Sequence, residues 1–88
     1  MKLIMTPIEK DAYLVLEKLE DNRQPVTGPQ IQELTGLSVD RINDAVDYLK
    51  SNEALSTRVY LRCVPFNFST ISVETKGRIM YQKVKEQA

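Results

Sequence analysis

The chain has 88 residues, of which 42% are hydrophobic and 27% are charged, and its formal net charge is zero. This length favours a single domain, and this composition is typical of a folded globular protein and excludes a disordered one. No apolar run approaches the roughly 20 residues that cross a membrane, and the N-terminal segment does not predict a signal peptide.

One cysteine, Cys63, and no histidine are present. An internal disulfide is therefore impossible, no Cys/His cluster predicts a zinc site, and a reducing cytoplasm is the simplest location. Without histidine or a glycine-rich phosphate loop, no pattern predicts an enzyme or a cofactor. Asp40, Asp44 and Asp47 share a helix face at i, i+4, i+7 spacing. They could in principle bind a metal, but a solvated acidic stripe is the more frequent arrangement and we expect no metal site.

Charge is unevenly distributed between the two halves of the chain. Residues 1–53 hold 6 Lys/Arg and 10 Asp/Glu, a net charge of −4, and residues 54–88 hold 6 Lys/Arg and 2 Asp/Glu, a net charge of +4. The basic half could bind an anionic partner. Equally, the two halves could attract each other, within one chain or between copies.

The first predicted helix spans about 7–21. It begins at a capping box, Thr6 to Glu9, with Pro7 at the first helical position. Its apolar stripe comprises Ile8, Ala12, Val15, Leu16 and Leu19. Tyr13 and Leu14 lie off the stripe, where they either widen the buried face or contact a partner.

Two short helices, near 29–35 and 39–52, follow as a helix-turn-helix. Thr27 and Gln30 form a second capping box, Gly36 ends the first helix, and Ser38 caps the next. Ile31 and Leu34 give the first an apolar face. The apolar stripe of the second comprises Ile42, Ala45, Val46 and Leu49.

A β-hairpin is predicted across 57–73, because the apolar period changes from 3.6 to 2 at Thr57. Leu55 returns the chain to the core. The predicted inward face comprises Val59, Leu61, Cys63, Ile71 and Val73, and the outward face Arg58, Tyr60 and Arg62. Between the strands, we expect one of Phe66 and Phe68 to be buried and the other partly exposed.

The last helix is predicted near 75–86, capped by Thr75. One face carries Gly77, Met80, Tyr81 and Val84, with Ile79 beside it. Glycine costs about 1 kcal/mol relative to alanine inside a helix, so we expect Gly77 to permit close approach to the sheet or to the first helix. The predicted order is α-α-α-β-β-α, in an α+β fold.

In this order of elements, the chain resembles a winged helix-turn-helix domain of the MarR-like and related small regulators. One passage that carries the resemblance is Leu37-Ser38 opening a helix with Ile42, Val46 and Leu49. The other is 71–78, which is similar to the strand and T-x-K-G-R passage that ends many wings. The resemblance implies one winged-helix domain over 1–88, with helix 39–52 as recognition helix and 58–73 as wing.

The first functional hypothesis is a transcription regulator that binds double-stranded DNA. Asp40, Asp44 and Asp47 on helix 39–52 oppose its insertion between phosphates, so we expect the hairpin to supply more of the affinity. The candidate nucleic-acid-binding residues are Arg41, Asn43, Arg58, Tyr60, Arg62, Lys76 and Arg78.

The alternative hypothesis is a winged-helix protein-interaction module that does not bind DNA. Its contact surfaces would be the acidic helix and the loop that carries Phe66 and Phe68, since exposed aromatics are frequent interface anchors. Under either hypothesis we expect a homodimer through the first and last helices, with Tyr13, Leu14 and Ile79 at the contact.

Overall fold

The computed structural model describes residues 5–20, 24–60 and 64–87, which form helices and short strands in an α+β fold. No helix in these ranges is both long and apolar enough to cross a membrane. In chain order the elements are α1 (Pro7–Glu20), β1 (Val26–Thr27), α2 (Gly28–Thr35), α3 (Val39–Ser51), β2 (Leu55–Arg58), β3 (Thr70–Val73) and α4 (Thr75–Gln87).

The three strands form one antiparallel sheet in the order β1-β3-β2. Val26 pairs with Ile71 at one side of β3, and Leu55 pairs with Val73 at the other. The sequence did not predict β1, because two residues are too few to show an alternating pattern. Strand β2 begins at Leu55, two residues before the predicted start, so the strand itself carries this residue into the core.

Helix starts follow the predicted capping chemistry. The Thr27 hydroxyl accepts from the Gln30 backbone N–H, while the Gln30 side-chain oxygen accepts from the Thr27 N–H at 2.9 Å. Thr6 and Glu9 make the same reciprocal pair at the start of α1, and Ser38 caps α3. These bonds satisfy backbone donors that have no partner inside a helix.

Gly36 ends α2 in the left-handed region at φ 74°, as the sequence predicted. Its backbone N–H donates to the Gln32 carbonyl. Because residues with a Cβ rarely adopt this conformation, glycine is the residue that allows the chain to turn directly from α2 into α3.

The core lies between α1, α3 and the inner face of the sheet. Most of the predicted stripes are buried, and Tyr13 and Leu14 are partly buried against the core, which widens the buried face of α1. The prediction of burial is wrong for two residues: Ile8 is 38% exposed in the first turn of α1, and Leu34 is 43% exposed near the end of α2. The fully buried large side chains are Phe68, Leu16, Leu19, Ile31, Ile42, Leu49, Ile71, Val15 and Val46.

Helix α4 approaches the sheet closely at Gly77. A Cβ atom built there would lie 2.1 Å from the carbonyl oxygen of Ala54, which already accepts the Glu74 N–H at 2.9 Å. The predicted role of Gly77 is therefore confirmed, and the element it approaches is the start of β2. Helix α4 begins at Thr75 itself, so this residue is its first helical position rather than the residue before it.

The inward face predicted for the hairpin is wrong at Val59, which is 63% exposed. Its position in the alternation matches that of buried Leu55, but β2 ends at Arg58, and Val59 lies beyond the last paired residue. Ile71 is fully buried and Val73 partly buried, as predicted. The predictions for Leu61, Arg62 and Cys63 fall outside the described residues.

Candidate nucleic-acid interface

The outer face of α3 presents three exposed carboxylates, Asp40, Asp44 and Asp47. The sequence placed Arg41 beside them as a candidate nucleic-acid-binding residue. In the structure, Arg41 instead forms a two-point ion pair with Asp11 of α1, Nε to Oδ2 at 2.9 Å and Nη2 to Oδ1 at 2.6 Å. The α3 surface therefore keeps its negative charges around Arg41, while Arg41 itself is already paired.

Asp11 explains why Arg41 is held in this way. The Asp11 side chain is only 11% exposed, and the Arg41 side chain is 58% exposed. A carboxylate removed from water needs hydrogen-bond partners and a counter-charge, which a bidentate guanidinium supplies. The hydrogen bond and the charge of Asp11 raise the pKa of Arg41 above its usual value. This pair joins α1 to the start of α3.

Asn43, the second candidate on α3, contacts the return segment of the hairpin. Its Nδ2 donates to the Pro65 carbonyl at 3.1 Å, and its Oδ1 accepts from the Asn67 backbone N–H at 2.9 Å. Both functional ends of the amide are therefore used inside the molecule. The bidentate adenine contact that an asparagine makes in the major groove needs these same atoms, so Asn43 is not available for it in this conformation.

Phe66 and Phe68 are both buried, at 7% and 1% exposure, so the prediction that one would be partly exposed is wrong. Their ring centroids lie 5.6 Å apart at an interplanar angle of 50°. Phe66 packs against the start of α2 and Phe68 belongs to the central core. Neither ring is exposed as a partner anchor, because the Asn43 contacts turn this loop back onto the domain.

The hairpin presents the exposed candidates Arg58 and Tyr60, the latter at 58% exposure. Ser69 fixes their backbone. Its N–H donates to the Arg58 carbonyl at 2.7 Å, and its side-chain oxygen accepts from the Tyr60 N–H at 2.7 Å. A side-chain acceptor thus replaces a backbone carbonyl, which continues the cross-strand contact beyond the last regular pair.

Lys76 and Arg78 lie at the opposite end of the sheet from Arg58. Arg58 pairs with Thr70 near the turn, whereas Leu55 pairs with Val73 next to α4, and this three-residue step spans about 10 Å. The predicted basic residues therefore fall into two separate groups. Arg62, the remaining candidate, lies outside the described residues.

Lys76 is in addition paired with Glu53, which it contacts through Nζ and Oε2. The hydrogen bond and the charge of Lys76 lower the pKa of Glu53 below its usual value. Both side chains are largely exposed, so water screens the pair. Arg78 is exposed and has no ion-pair partner in the described part of the chain.

An open depression of about 520 Å³ flanks β2 at the α4 end of the sheet. Its lining has balanced charges, since two lysines and two glutamates face it, and Lys76 is the only predicted site residue among them. The lining residues are Lys50, Glu53, Leu55, Ser56, Thr57, Glu74, Thr75 and Lys76. Within 5–20, 24–60 and 64–87, no three acidic, histidine or cysteine side chains are grouped to bind a metal.

Comparison with models of known families, with curated proteins and with solved structures found no match for this chain. The function therefore has to be inferred from the residues of this chain. Sequence reasoning missed two of them, Asp11 and Ser69. Asp11 carried a signal, since it directly precedes Ala12 at the edge of an apolar stripe, whereas a serine in a loop carries none.

Proposed function

We propose that the chain is a winged helix-turn-helix domain that binds double-stranded DNA in transcription regulation, with the β2–β3 hairpin as its main contact. The observation that carries the proposal is the hairpin itself. From Ala54 to Val73 the sequence has two arginines and no acidic residue, and Arg58 and Tyr60 are exposed there on a backbone held by Ser69. Phosphate neutralisation by such cations supplies most non-specific affinity.

The arrangement of elements supports the winged-helix interpretation. Helices α2 and α3 are joined through Gly36 as in a helix-turn-helix, and a hairpin follows them directly. Strand β1 lies between α1 and α2 and pairs with β3, which gives the hairpin a third strand at its base. In this interpretation β2, β3 and their connection form the wing.

Helix α3 is assigned a lesser role because of its charge. Its exposed carboxylates would face phosphates, while Arg41 and Asn43 already make internal contacts. Insertion of α3 into the major groove would therefore bring repulsion without these two compensating contacts. A contact led by the hairpin keeps the acidic face of α3 farther from the duplex.

The test is fluorescence anisotropy with a labelled random-sequence duplex, titrated from about 50 to 200 mM salt. We expect binding that weakens with salt. Arg58→Ala should weaken it on all sequences and reduce the salt slope by about 1. Arg78→Ala is the matched control, because it removes an exposed arginine at the far end of the sheet, and we expect a much smaller loss. No binding of the unaltered chain at the lowest salt would refute the proposal.

A second candidate function is a protein-interaction module for a basic partner, and the acidic face of α3 favours it. Asp40, Asp44 and Asp47 are exposed, and Arg41 is neutralised by Asp11. The expected partner segment is rich in lysine or arginine and binds less tightly as salt increases. If the chain does not bind duplex DNA but binds a basic peptide, and Asp44→Asn weakens peptide binding, the protein-interaction function replaces the DNA-binding function.

We further propose that the domain forms a two-fold dimer through α4. Ile79 is 49% exposed, and Met80, Tyr81 and Val84 are only partly buried. Tyr13 and Leu14 of α1 are partly buried against the core of their own chain, as are Met80 and Tyr81, so each of these side chains offers only its exposed part to a second copy. Light scattering at tens of micromolar protein tests this proposal, and a species near 20 kDa is expected. If the 10.1 kDa monomer is the one species detected, a stable dimer is excluded.

A further inference from the structure

Strand β2 lies at the edge of the sheet and is paired on one side only. The sheet order β1-β3-β2 places β3 beside it, and no other described strand pairs with it. An edge strand presents backbone N–H and C=O groups that can pair with another chain. The open depression at the α4 end of the sheet includes Leu55, Ser56 and Thr57 in its lining, so open space adjoins the strand.

The hydrogen bonds made toward β3 show which backbone groups of β2 point outward. The Ala54 carbonyl accepts from the Glu74 N–H at 2.9 Å, and the Arg58 carbonyl also accepts a bond from this side. Backbone groups alternate between the two sides of an antiparallel strand. Leu55 and Thr57 therefore direct their N–H and C=O groups away from β3, and an incoming strand finds a donor and an acceptor at each of them.

A second copy of the same strand matches this arrangement of donors and acceptors. An antiparallel pairing centred on Ser56 joins Leu55 of one copy to Thr57 of the other, and the two-fold axis repeats the pair. The outward backbone groups of both strands then all have partners. Ser56 lies at the axis, opposite its own copy, and its small exposed side chain allows the strands to meet there.

The same register brings together two charges that one chain leaves apart. Arg58 and Glu74 are exposed, and neither has an ion-pair partner in the described part of the chain. Arg58 of one copy lies opposite Ala54 of the other, and Ala54 lies beside Glu74 of its own chain. Two strand spacings, about 10 Å, thus separate the two backbones, and the long side chains span this distance across a methyl group.

We propose that two copies pair through their β2 edges into one continuous antiparallel sheet, with the two-fold axis at Ser56. This edge is separate from the exposed face of α4, so a chain that uses both surfaces assembles beyond a dimer. The inference goes beyond the proposed DNA-binding function. In the paired sheet Arg58 faces a carboxylate, so a second copy and a duplex compete for this side chain.

Disulfide trapping in the full chain tests the proposed register. Cys63→Ser removes the native thiol, and Ser56→Cys adds one at the axis, where facing Cα atoms lie about 4.5 Å apart, within reach of a disulfide. In a glutathione redox buffer, at tens of micromolar protein, we expect a cross-linked species near 20 kDa. Ser72→Cys is the matched control. Ser72 pairs with Ser56 on β3, so its two copies lie three strand spacings apart, about 14 Å, and should not cross-link.

Two further changes in the Ser56→Cys chain test the contacts themselves. Thr57→Pro removes an outward N–H that β3 does not use, which an edge strand tolerates, and the cross-link should be lost while the melt stays cooperative. Arg58→Glu places like charges across the interface and should reduce cross-linking several-fold. Lys10→Glu makes the same change of charge at an exposed position of α1 and should leave cross-linking unaltered.

The outcomes separate this pairing from the other proposals. Ser56→Cys that cross-links no faster than Ser72→Cys refutes it, as does equal cross-linking in Arg58→Glu and Lys10→Glu. Ile79→Ser alters the α4 face, and the Ser56→Cys cross-link should persist in that variant. Loss of the cross-link there would show that α4 alone brings the copies together. No nucleic acid is present, so failure of DNA binding leaves this test unaffected.

Discussion

A Cβ atom added to Gly28 would lie 2.4 Å from Cδ2 of Phe66. Cγ and Cε2 of the ring also lie within 2.8 Å of that position, which is closer than non-bonded contacts of a Cβ atom allow, so the ring or the backbone would have to shift. Gly28 is the first residue of α2, where its conformation is ordinary, so its requirement is space for the ring. This contact fixes the return segment of the hairpin against the start of α2.

Gly28→Ala should therefore destabilise the domain, because the Phe66 ring must move within a packed site. Overpacking of this kind costs about 1–3 kcal/mol, which a thermal or urea melt will measure. The same substitution should cost less in a Phe66→Leu background, since the ring that it displaces is absent. Equal costs in both backgrounds would show that the ring is not the obstacle.

Asn43→Ala should loosen the hairpin return. The substitution leaves the Pro65 carbonyl and the Asn67 N–H without their partner, and loss of such hydrogen bonds costs about 1 kcal/mol. Hydrogen exchange at the Asn67 amide should accelerate. Asp44 is the exposed neighbour of Asn43 in the sequence, and Asp44→Ala should leave both stability and exchange unaltered. If Asn43→Ala lost duplex binding with no change in melting or exchange, Asn43 would be a base-reading residue.

Arg41→Met should lower the melting temperature by several degrees, because it leaves the nearly buried Asp11 carboxylate without its counter-charge. Asp11→Asn combined with Arg41→Met should recover part of the loss, since the remaining group is then neutral. Asp40→Asn changes an exposed carboxylate next to Arg41 and serves as the control. A melt of Arg41→Met equal to that of the unaltered chain would mean that Asp11 is adequately hydrated.

The Lys76–Glu53 pair predicts a pH dependence. The folded-state pKa of Glu53 is lowered, so its contribution to stability is present above its ordinary value of about 4.5 and is lost as pH falls through the lower folded-state value. Lys76→Gln should therefore melt slightly below the unaltered chain at neutral pH and equally in acid. Salt near 1 M should also remove the difference, because both side chains are exposed. A difference that persists in acid would have another cause.

Asp44→Asn should leave duplex binding equal or make it tighter. The aspartate is exposed on α3, and removing its charge reduces repulsion of phosphates if this face is near the DNA. Anisotropy titrations at two salt concentrations will measure the change. Loss of sequence-specific binding in Asp44→Asn, with binding retained in Arg58→Ala, would show that α3 reads bases and that the hairpin assignment is wrong.

Local signals allowed prediction of the helices from the sequence. A helix cap depends on neighbours within one turn, as at Thr6, Thr27 and Ser38, and an i, i+3, i+4 stripe depends on neighbours within two turns. Both can therefore be read from the sequence alone. The third strand and the exposure of Val59 depend on where distant segments end. Neither the two-residue β1 nor the early end of β2 at Arg58 has a local signature.

The candidate interface was predicted less well, because side chains that the sequence suggests are free to bind a ligand contact distant residues of the same chain instead. Arg41 is paired with a residue 30 positions away, and Asn43 with residues 22 and 24 positions away. Phe66 is covered for the same reason, since α2 lies over its ring. The exposure of Arg58 and Tyr60 agrees with the predicted outward face, although β2 ends at Arg58 and Val59 between them is exposed as well.

The contacts of Asn43 hold charges of opposite sign at a fixed separation. Asn43 joins α3, which carries the carboxylates, to residues 65 and 67 of the arginine-bearing hairpin, so the two groups turn together as one body. Such an arrangement has a permanent electric dipole, and the field of a polyanion exerts a torque on it before any contact forms. We expect most encounters with DNA to occur with the hairpin facing the duplex. Association rates in stopped-flow measurements should therefore fall steeply as salt shortens the range of the field.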